Sequence, residues 1–253
     1  MTLSASGLVL SDRLAGIDLT LRAGEVTAIV GPNGAGKSSL IGCLAGLLRP
    51  AAGSVALDGQ DLAAMPPRER ARRIGYLPQD PEVAWDVSVE TLVALGRLPW
   101  AGAPLHRARS SASEDAAAIS SALRAMDLED LRSRPLSRLS GGERARALAA
   151  RVLAGDPAWI LADEPLANLD LAHAAALVRL LRAEAAGGRG AVLVLHDLAT
   201  AMNRADRVIV LDQGHIAADG CPEQALTAEV IERIWRLPVR WVGEAGARAL
   251  ATG

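Results

Sequence analysis

Residues 25–48, with the sequence EVTAIVGPNGAGKSSLIGCLAGLL, contain the clearest indication of the fold of this chain. The stretch opens with a short apolar run typical of a buried strand and closes with apolar residues at helical spacing. Between these runs, GPNGAGKS fits the pattern G-x-x-x-x-G-K-[ST], whose glycines let successive backbone N–H groups surround a phosphate at a helix N-terminus. The stretch therefore predicts a strand, a phosphate-binding loop and a helix.

The loop residues have expected roles in binding a nucleoside triphosphate. Lys37 is the only lysine among 27 basic residues, and its compact ammonium would reach the β- and γ-phosphates. The Ser38 hydroxyl would join the shell of a bound Mg²⁺ ion. The alternative is a glycine-rich turn that merely precedes a helix. The expected nucleotide-binding residues are Gly31, Pro32, Asn33, Gly34, Ala35, Gly36, Lys37, Ser38 and Ser39.

Outside this stretch, four apolar runs predict further buried strands, with helical segments between most of them. They are RIGYLPQ (73–79), AWILADEP (158–165), AVLVLHD (191–197) and RVIVLD (207–212). Alternation of this kind predicts an α/β fold with a largely parallel sheet. An antiparallel β portion is expected near the N-terminus, around TLRAGEV and SVALDG.

The remaining segments indicate how one domain is organised. Residues 1–79 and 156–253 are predicted to form the core, and residues 80–155 an inserted helical subdomain. Within that subdomain, residues 105–126 are Arg/Ser/Ala-rich and predict a solvated loop followed by a helix start. Residues 227–253 predict a short amphipathic helix and a tail.

Two carboxylates stand where a predicted strand ends. Asp163 and Glu164 follow the apolar run WILA, and parallel sheets bind ligands at this carboxyl edge. Asp163 suits a Mg²⁺ ligand, and Glu164 suits the base that polarises water for attack on the γ-phosphate. A strand ending in Asp-Glu is, by itself, often an ordinary polar turn.

A second glycine-containing turn, LSGGE at residues 139–143, precedes a helical pattern. Its serine hydroxyl, its free N–H groups and the helix dipole could bind a second phosphate face. A capped helix with a flexible lead-in is the alternative interpretation.

The chain carries a net charge of −2, so no basic field indicates a nucleic-acid partner.

Taken in order, the chain shows GPNGAGKSS, Gln79 at a strand end, LSGGE, WILADEP, Asp170 and His196 at a strand end. This ordered set closely resembles the ATP-binding cassette (ABC) ATPase family over nearly the whole chain, and LSGGE is that family's signature. The resemblance implies a P-loop NTPase core that uses ATP and Mg²⁺ and acts as an ATPase coupled to transmembrane transport.

The resemblance also implies roles for residues outside the P-loop. In a head-to-tail homodimer, Ser140, Gly141 and Gly142 of one subunit would close on the nucleotide held by the other, and Asp170 would brace the opposed site. Gln79 would touch Mg²⁺ and the attacking water, and His196 would contact the γ-phosphate. Glu164, His196, Gln79 and Lys37 are thus the expected catalytic residues, and Ser38, Gln79 and Asp163 the expected metal ligands.

Two segments resemble a subgroup of the family. DVSVETLVALGRLPW (86–100) and LAHAAAL (171–177) are similar to the ATPases of importers for ferric siderophores, haem and vitamin B12. The alternatives are an exporter, an importer of another substrate, and a non-transport ABC ATPase. The family commonly stacks adenine on an N-terminal aromatic ring, but residues 1–75 contain no aromatic residue. Two expectations follow as alternatives: ATP binds more weakly than in other members, or Leu10 or Arg13 covers the base.

The resemblance further implies what the protein assembles with. Besides a second copy of itself, the expected partners are transmembrane permease subunits and, through them, a solute-binding protein. No apolar run in the sequence approaches the roughly 20 residues needed to span a bilayer. The expected location is therefore the cytoplasmic face of the inner membrane, as a peripheral subunit.

Overall fold

The computed structural model describes residues 1–79, 85–101, 111–167 and 169–252. The chain falls into two compact units. The core unit comprises Met1–Met65, Leu161–Glu164 and Leu181–Gly253, and the helical unit comprises Pro66–Ile160 and Pro165–Leu180. The division predicted from the sequence, with a subdomain at residues 80–155, stays a prediction.

The secondary structure follows the chain as alternating strands and helices. The strands are β1 (Thr2–Leu10), β2 (Leu14–Arg22), β3 (Val26–Val30), β4 (Ala52–Leu57), β5 (Gln60–Asp61), β6 (Ile74–Leu77), β7 (Trp159–Asp163), β8 (Gly190–Val194), β9 (Arg207–Asp212), β10 (His215–Gly220), β11 (Val239–Val242) and β12 (Ala249–Thr252). The α-helices are α1 (Lys37–Leu44), α2 (Pro67–Arg73), α3 (Val89–Ala94), α4 (Ala112–Ala125), α5 (Gly141–Ala154), α6 (Leu171–Ala186), α7 (Leu198–Arg204), α8 (Pro222–Ala225) and α9 (Ala228–Trp235).

The core unit is built on a parallel-rich sheet. Strand β3 pairs in parallel with both β8 and β9, and β10 adds an antiparallel edge to β9. The strand order across this part of the sheet is β10-β9-β3-β8-β7. Every residue of β3, β7 and β8 is buried, which explains why these strands read as continuous apolar runs. The predicted α/β class is confirmed.

A second, antiparallel sheet of order β2-β1-β4-β5 forms the N-terminal part of the core unit. Buried and exposed residues alternate along most of β2, as expected for a sheet with one face against a core. The antiparallel β portion predicted near the N-terminus is therefore confirmed.

The C-terminus differs from the prediction. The amphipathic helix exists as α9, but the following residues are not a tail, because β11 and β12 pair as an antiparallel hairpin. Trp241 in β11 donates its indole N–H to the Leu226 carbonyl at 2.7 Å. The prediction of a tail was wrong, because residues 239–252 form a hairpin. The bond between Trp241 and Leu226 links this hairpin to the segment before α9, and a local sequence pattern does not predict such a contact.

The helical unit contains α2 to α5, the first part of α6, strand β6 and 3₁₀ turns. Its described residues include Ser111, which caps α4 where the sequence predicted a helix start, whereas residues 102–110 of that segment lie outside the described part. Arg97 is buried in this unit, paired with Asp115 at 2.7 Å and placed 5.0 Å from the centre of the Trp100 ring. Among the described residues, no helix is long and apolar enough to cross a membrane.

Candidate nucleotide-binding and hydrolysis site

The predicted phosphate-binding loop joins β3 to α1. Gly36, which immediately precedes α1, has φ of 101°, and a Cβ atom there would lie 2.5 Å from the Arg13 carbonyl oxygen. Only glycine accepts this left-handed conformation and this close approach together. No side chain caps α1, so its first N–H groups remain available to an anion.

Lys37 lies inside the loop rather than in solvent. Its side chain donates to the carbonyl oxygens of Gly31 at 2.8 Å and Pro32 at 2.9 Å, and the residue is only 6% exposed. Burial lowers the pKa of Lys37, and the nearby carboxylates of Glu164 and Asp163 oppose that shift. The buried ammonium thus holds the loop in shape and places a positive charge where phosphates would bind.

Asp163, the last residue of β7, has a carboxylate suited to a metal ion. It is 3% exposed, and its Oδ1 atom is buried with no hydrogen-bond partner. Burial raises the pKa of Asp163, while a hydrogen bond from the Ser38 side chain and the charge of Lys37 oppose the rise. An unpartnered buried oxygen is costly, and a cation would satisfy it.

The donor set of Ser38 and Asp163 fits Mg²⁺ better than a transition metal. Both side chains offer oxygen ligands, and Mg²⁺ is usually held by one or two carboxylates together with substrate phosphates. The described residues contain no cluster of three or more histidine, cysteine, aspartate or glutamate side chains able to hold a metal by themselves. Phosphate oxygens of the nucleotide would complete the coordination of a bound Mg²⁺ ion.

Glu164 directly follows Asp163 and has a strained backbone, with φ of 51°. A left-handed conformation at a residue other than glycine costs on the order of 1–3 kcal/mol and is concentrated at functional sites. The Glu164 N–H still donates to the Val194 carbonyl at 3.2 Å, so β8 fixes this position. The left-handed Glu164 thus directly follows the end of β7 and is held there by a backbone bond to β8.

His196 lies just beyond β8 and contacts that carboxylate. Its Nε2 atom forms a short hydrogen bond with Glu164 Oε1. The two side chains are unequally accessible, since Glu164 is 13% exposed and His196 is 50% exposed. Asp197 then caps α7 by accepting from the Ala199 and Thr200 N–H groups at 3.0 Å. The structure thus brings Lys37, Ser38, Asp163, Glu164 and His196 together within the core unit.

The remaining predicted residues belong to the helical unit. Gln79 follows β6 and is exposed. Ser140 caps α5, whose first two residues are Gly141 and Gly142. Ser140 Oγ accepts the Glu143 N–H at 3.2 Å, and Glu143 accepts the Ser140 N–H at 2.7 Å. This reciprocal capping box matches the alternative interpretation of the segment as a capped helix.

Asp170 precedes α6 and is held by His173, a contact that the sequence analysis does not predict. Its carboxylate accepts the His173 backbone N–H at 2.9 Å and lies 2.8 Å from His173 Nδ1. These two bonds lower the pKa of Asp170. The signal was present in the sequence, because an aspartate three residues before a histidine at a helix start can bond in this way.

The turn between β1 and β2 lies beside the phosphate loop. The Arg13 carbonyl is the atom that a Gly36 side chain would strike, and the Arg13 residue is exposed. Leu10, the other residue considered for covering the base, ends β1 and is partly exposed. Neither role is tested by these contacts, so both stay predictions.

Comparison with known proteins places these features in a family. A family model described as ABC transporter matches residues 14–167. The hemin import ATP-binding protein HmuV of Nocardia farcinica is 45% identical over 248 residues, which are 94% of this chain and 84% of the relative. HmuV of Rhodococcus jostii is 42% identical over 243 residues, covering 94% and 81%.

A solved structure supports the same placement. It is an ABC transporter assigned to the metal-chelate type, in an inward-facing conformation, and it is similar to this chain with a TM-score of 0.82. The sequences are 25% identical, and the match covers 100% of this chain and 97% of the other.

Proposed function

The chain belongs to the ABC transporter family and is an ATP-binding ATPase, and from that premise we propose that it powers the import of hemin or a related metal chelate. The observation that supports ATP as the energy source is the cluster of Lys37, Ser38, Asp163, Glu164 and His196 at the carboxyl edge of the parallel sheet. Ligands of such sheets bind at this edge.

In this proposal, each residue of the cluster has a distinct task. The loop N–H groups and Lys37 bind the β- and γ-phosphates, and Glu164 orients and polarises the attacking water. His196, already in contact with Glu164, holds that carboxylate and reaches the γ-phosphate. Mg²⁺ held by Ser38, Asp163 and Gln79 would neutralise charge on the phosphate oxygens.

We further propose that two copies share each active site. Ser140, Gly141, Gly142 and Asp170 of one copy would face the nucleotide bound by the other, as the family resemblance implies. The Ser140 oxygen accepts a bond from its own helix, but its hydroxyl proton can still donate to a phosphate oxygen. ATP-driven closure of this pair would pass motion to permease subunits, which would place the chain at the cytoplasmic membrane face.

The cargo follows from the relatives and not from this chain's own side chains. Two relatives above 40% identity are named as hemin import proteins, and they are matched over more than four fifths of their length. In this proposal, a solute-binding protein would deliver the cargo to the permease, and the cargo would pass through the permease. An exporter role is the competing candidate.

The test is recovery of partners from native membranes. The Glu164→Gln protein, held with ATP in the closed state, should retain a polytopic permease detectable by mass spectrometry. Glu232→Gln is the matched control, because it makes the same chemical change on an exposed position of α9. Recovery of soluble partners alone would contradict the transporter role.

A second measurement separates import from export. The recovered complex is reconstituted in vesicles, and ATP turnover is measured with hemin, cobalamin or a ferric siderophore on the side opposite the ATPase. Stimulation by hemin supports the proposal. Stimulation only by a compound on the ATPase side would favour an exporter.

A further inference from the structure

His196 is followed at once by a helix too short to hold its own position. Helix α7 has seven residues, and isolated helices of this length are unstable in water. Leu198, Ala201 and Met202 are buried, which fixes one face of α7. The position of the helix, and of the histidine before it, therefore depends on the tertiary contacts that α7 makes.

One of these contacts joins α7 to the C-terminal hairpin. The Asn203 side chain donates to the Arg248 carbonyl at 2.7 Å, and its Oδ1 atom accepts the Arg248 N–H at 2.8 Å. The same amide nitrogen donates to the Ala199 carbonyl one turn earlier at 2.8 Å. The Asn203 side chain thus both donates to and accepts from the Arg248 backbone, as the backbone of a neighbouring strand would. It also stays bonded within its own helix.

The hairpin is fixed at other points too, so it can act as an anchor. Strands β11 and β12 form a sheet of their own, and a lone two-stranded hairpin is marginally stable at best. Trp241 bonds to the Leu226 carbonyl, and the Arg248 side chain lies 3.7 Å from Glu223. The same side chain lies 3.6 Å from the sulfur of Met202, which is a second link to α7.

We infer that Asn203 is a positioning residue for His196. By tying α7 to the C-terminal hairpin, its side-chain amide fixes the place at which His196 meets Glu164. This role rests on the proposed function of His196 in ATP hydrolysis. The C-terminal hairpin is then part of the machinery that sets the turnover rate, although it contributes no atom to the site itself.

The first test is steady-state ATP hydrolysis by the full-length chain. Asn203→Ala removes both hairpin bonds and the bond to the Ala199 carbonyl. We expect kcat to fall about three- to tenfold, the net worth of one or two neutral hydrogen bonds. The KM for ATP should stay within about twofold, because the phosphate loop is untouched. A rise in KM with unchanged kcat would overturn the inference.

Arg204→Ala is the matched control. It truncates the next residue of α7 at an exposed position and keeps both bonds between Asn203 and the Arg248 backbone, so kcat should remain near that of the unaltered protein. The decisive comparison is between the single variant His196→Ala and the double variant that carries both His196→Ala and Asn203→Ala. If Asn203 acts through His196, the second substitution should lower turnover no further, whereas an equal additional fall would contradict the inference.

NMR spectroscopy tests the position of the His196 ring directly, independently of the turnover rate. The chain has four histidines, and His196→Ala identifies the His196 ring signal by NMR. That signal should shift in Asn203→Ala and stay in place in Arg204→Ala; an unmoved signal in Asn203→Ala would overturn the positioning role. If His196→Ala hydrolyses ATP normally, the proposed role of His196 fails, and the ring signal still tests the positioning separately.

Discussion

Two glycine-containing turns lead into helices in this molecule, and they differ in whether a side chain caps the N-terminus of the helix. The phosphate loop reaches α1 through left-handed Gly36 and offers no side-chain cap. The LSGGE turn reaches α5 through Ser140, which closes a capping box with Glu143. The first turn has no side-chain cap on its N–H groups, whereas in the second the side chains of Ser140 and Glu143 accept each other's backbone N–H groups. A glycine-rich sequence therefore does not by itself indicate an open anion site.

Exchanging a glutamate for glutamine in each region gives the largest expected contrast. Glu164→Gln should lower ATP turnover by roughly 10²–10⁴-fold, as loss of a general base does, while ATP still binds. Glu143→Gln should lower turnover far less, because glutamine can also complete a capping box. Steady-state hydrolysis and nucleotide-binding assays measure both. Near-normal turnover by Glu164→Gln would remove it from the proposed role.

The two glycines should respond differently to alanine. Gly36→Ala forces a side chain into a left-handed position and against the Arg13 carbonyl, so the free energy of unfolding should fall by at least about 1–3 kcal/mol. At Gly141 a Cβ atom meets nothing within 4 Å, and alanine favours helices by up to about 1 kcal/mol. Denaturant unfolding compares the two variants.

The same pair of variants also sharpens the proposal of shared sites. If Gly141→Ala keeps its stability but loses ATP turnover, the glycine is needed for close approach by the second copy. Full turnover together with full stability would mean that this position needs no glycine at all.

Ser140 should separate helix capping from contact with phosphate. Ser140→Ala removes the cap and should cost about 0.5–2 kcal/mol of unfolding free energy. Ser140→Asp keeps a good cap and so should retain stability, but it adds negative charge where the partner's phosphate is proposed to lie, and turnover should fall. Thermal unfolding and ATP hydrolysis are measured on both variants. Normal hydrolysis by Ser140→Asp would contradict the contact.

The smallest effects expected are opposite pH dependences in the two regions. The N–H group of Ser140 is the main cause that lowers the pKa of Glu143, so its contribution to stability is present above the usual glutamate pKa of about 4.3 and is lost as pH falls through the lowered value. Burial raises the pKa of Asp163, so ionised Asp163 costs stability at neutral pH, and the cost fades as the medium becomes acidic.

Unfolding midpoints at a series of pH values test both signs. Asp163→Asn should be more stable than the unaltered protein at pH 7, and the gain should shrink as the pH is lowered. Glu143→Gln should be slightly less stable at pH 7, and that difference should vanish in acid. A stability gain for Asp163→Asn that grew on acidification would contradict the burial argument.

Much of the fold could be predicted because it depends on local spacing. The run RVIVLD was expected as a strand at residues 207–212, and β9 has these bounds. The loop before α1 and the capping of α5 are likewise local patterns. The C-terminal hairpin could not be predicted, since Asn203 and Arg248, which help to hold it, are 45 positions apart.

Residue type and short-range spacing were enough to predict the phosphate loop, the α/β class and the pair of carboxylates at the end of β7. Three features of the site appear only in the folded chain: the left-handed conformation of Glu164, its contact with His196 32 positions away, and the unpartnered oxygen of Asp163. These features depend on burial and on contacts between distant segments. Desolvation and long-range packing act only once the chain has folded, so no local pattern encodes them.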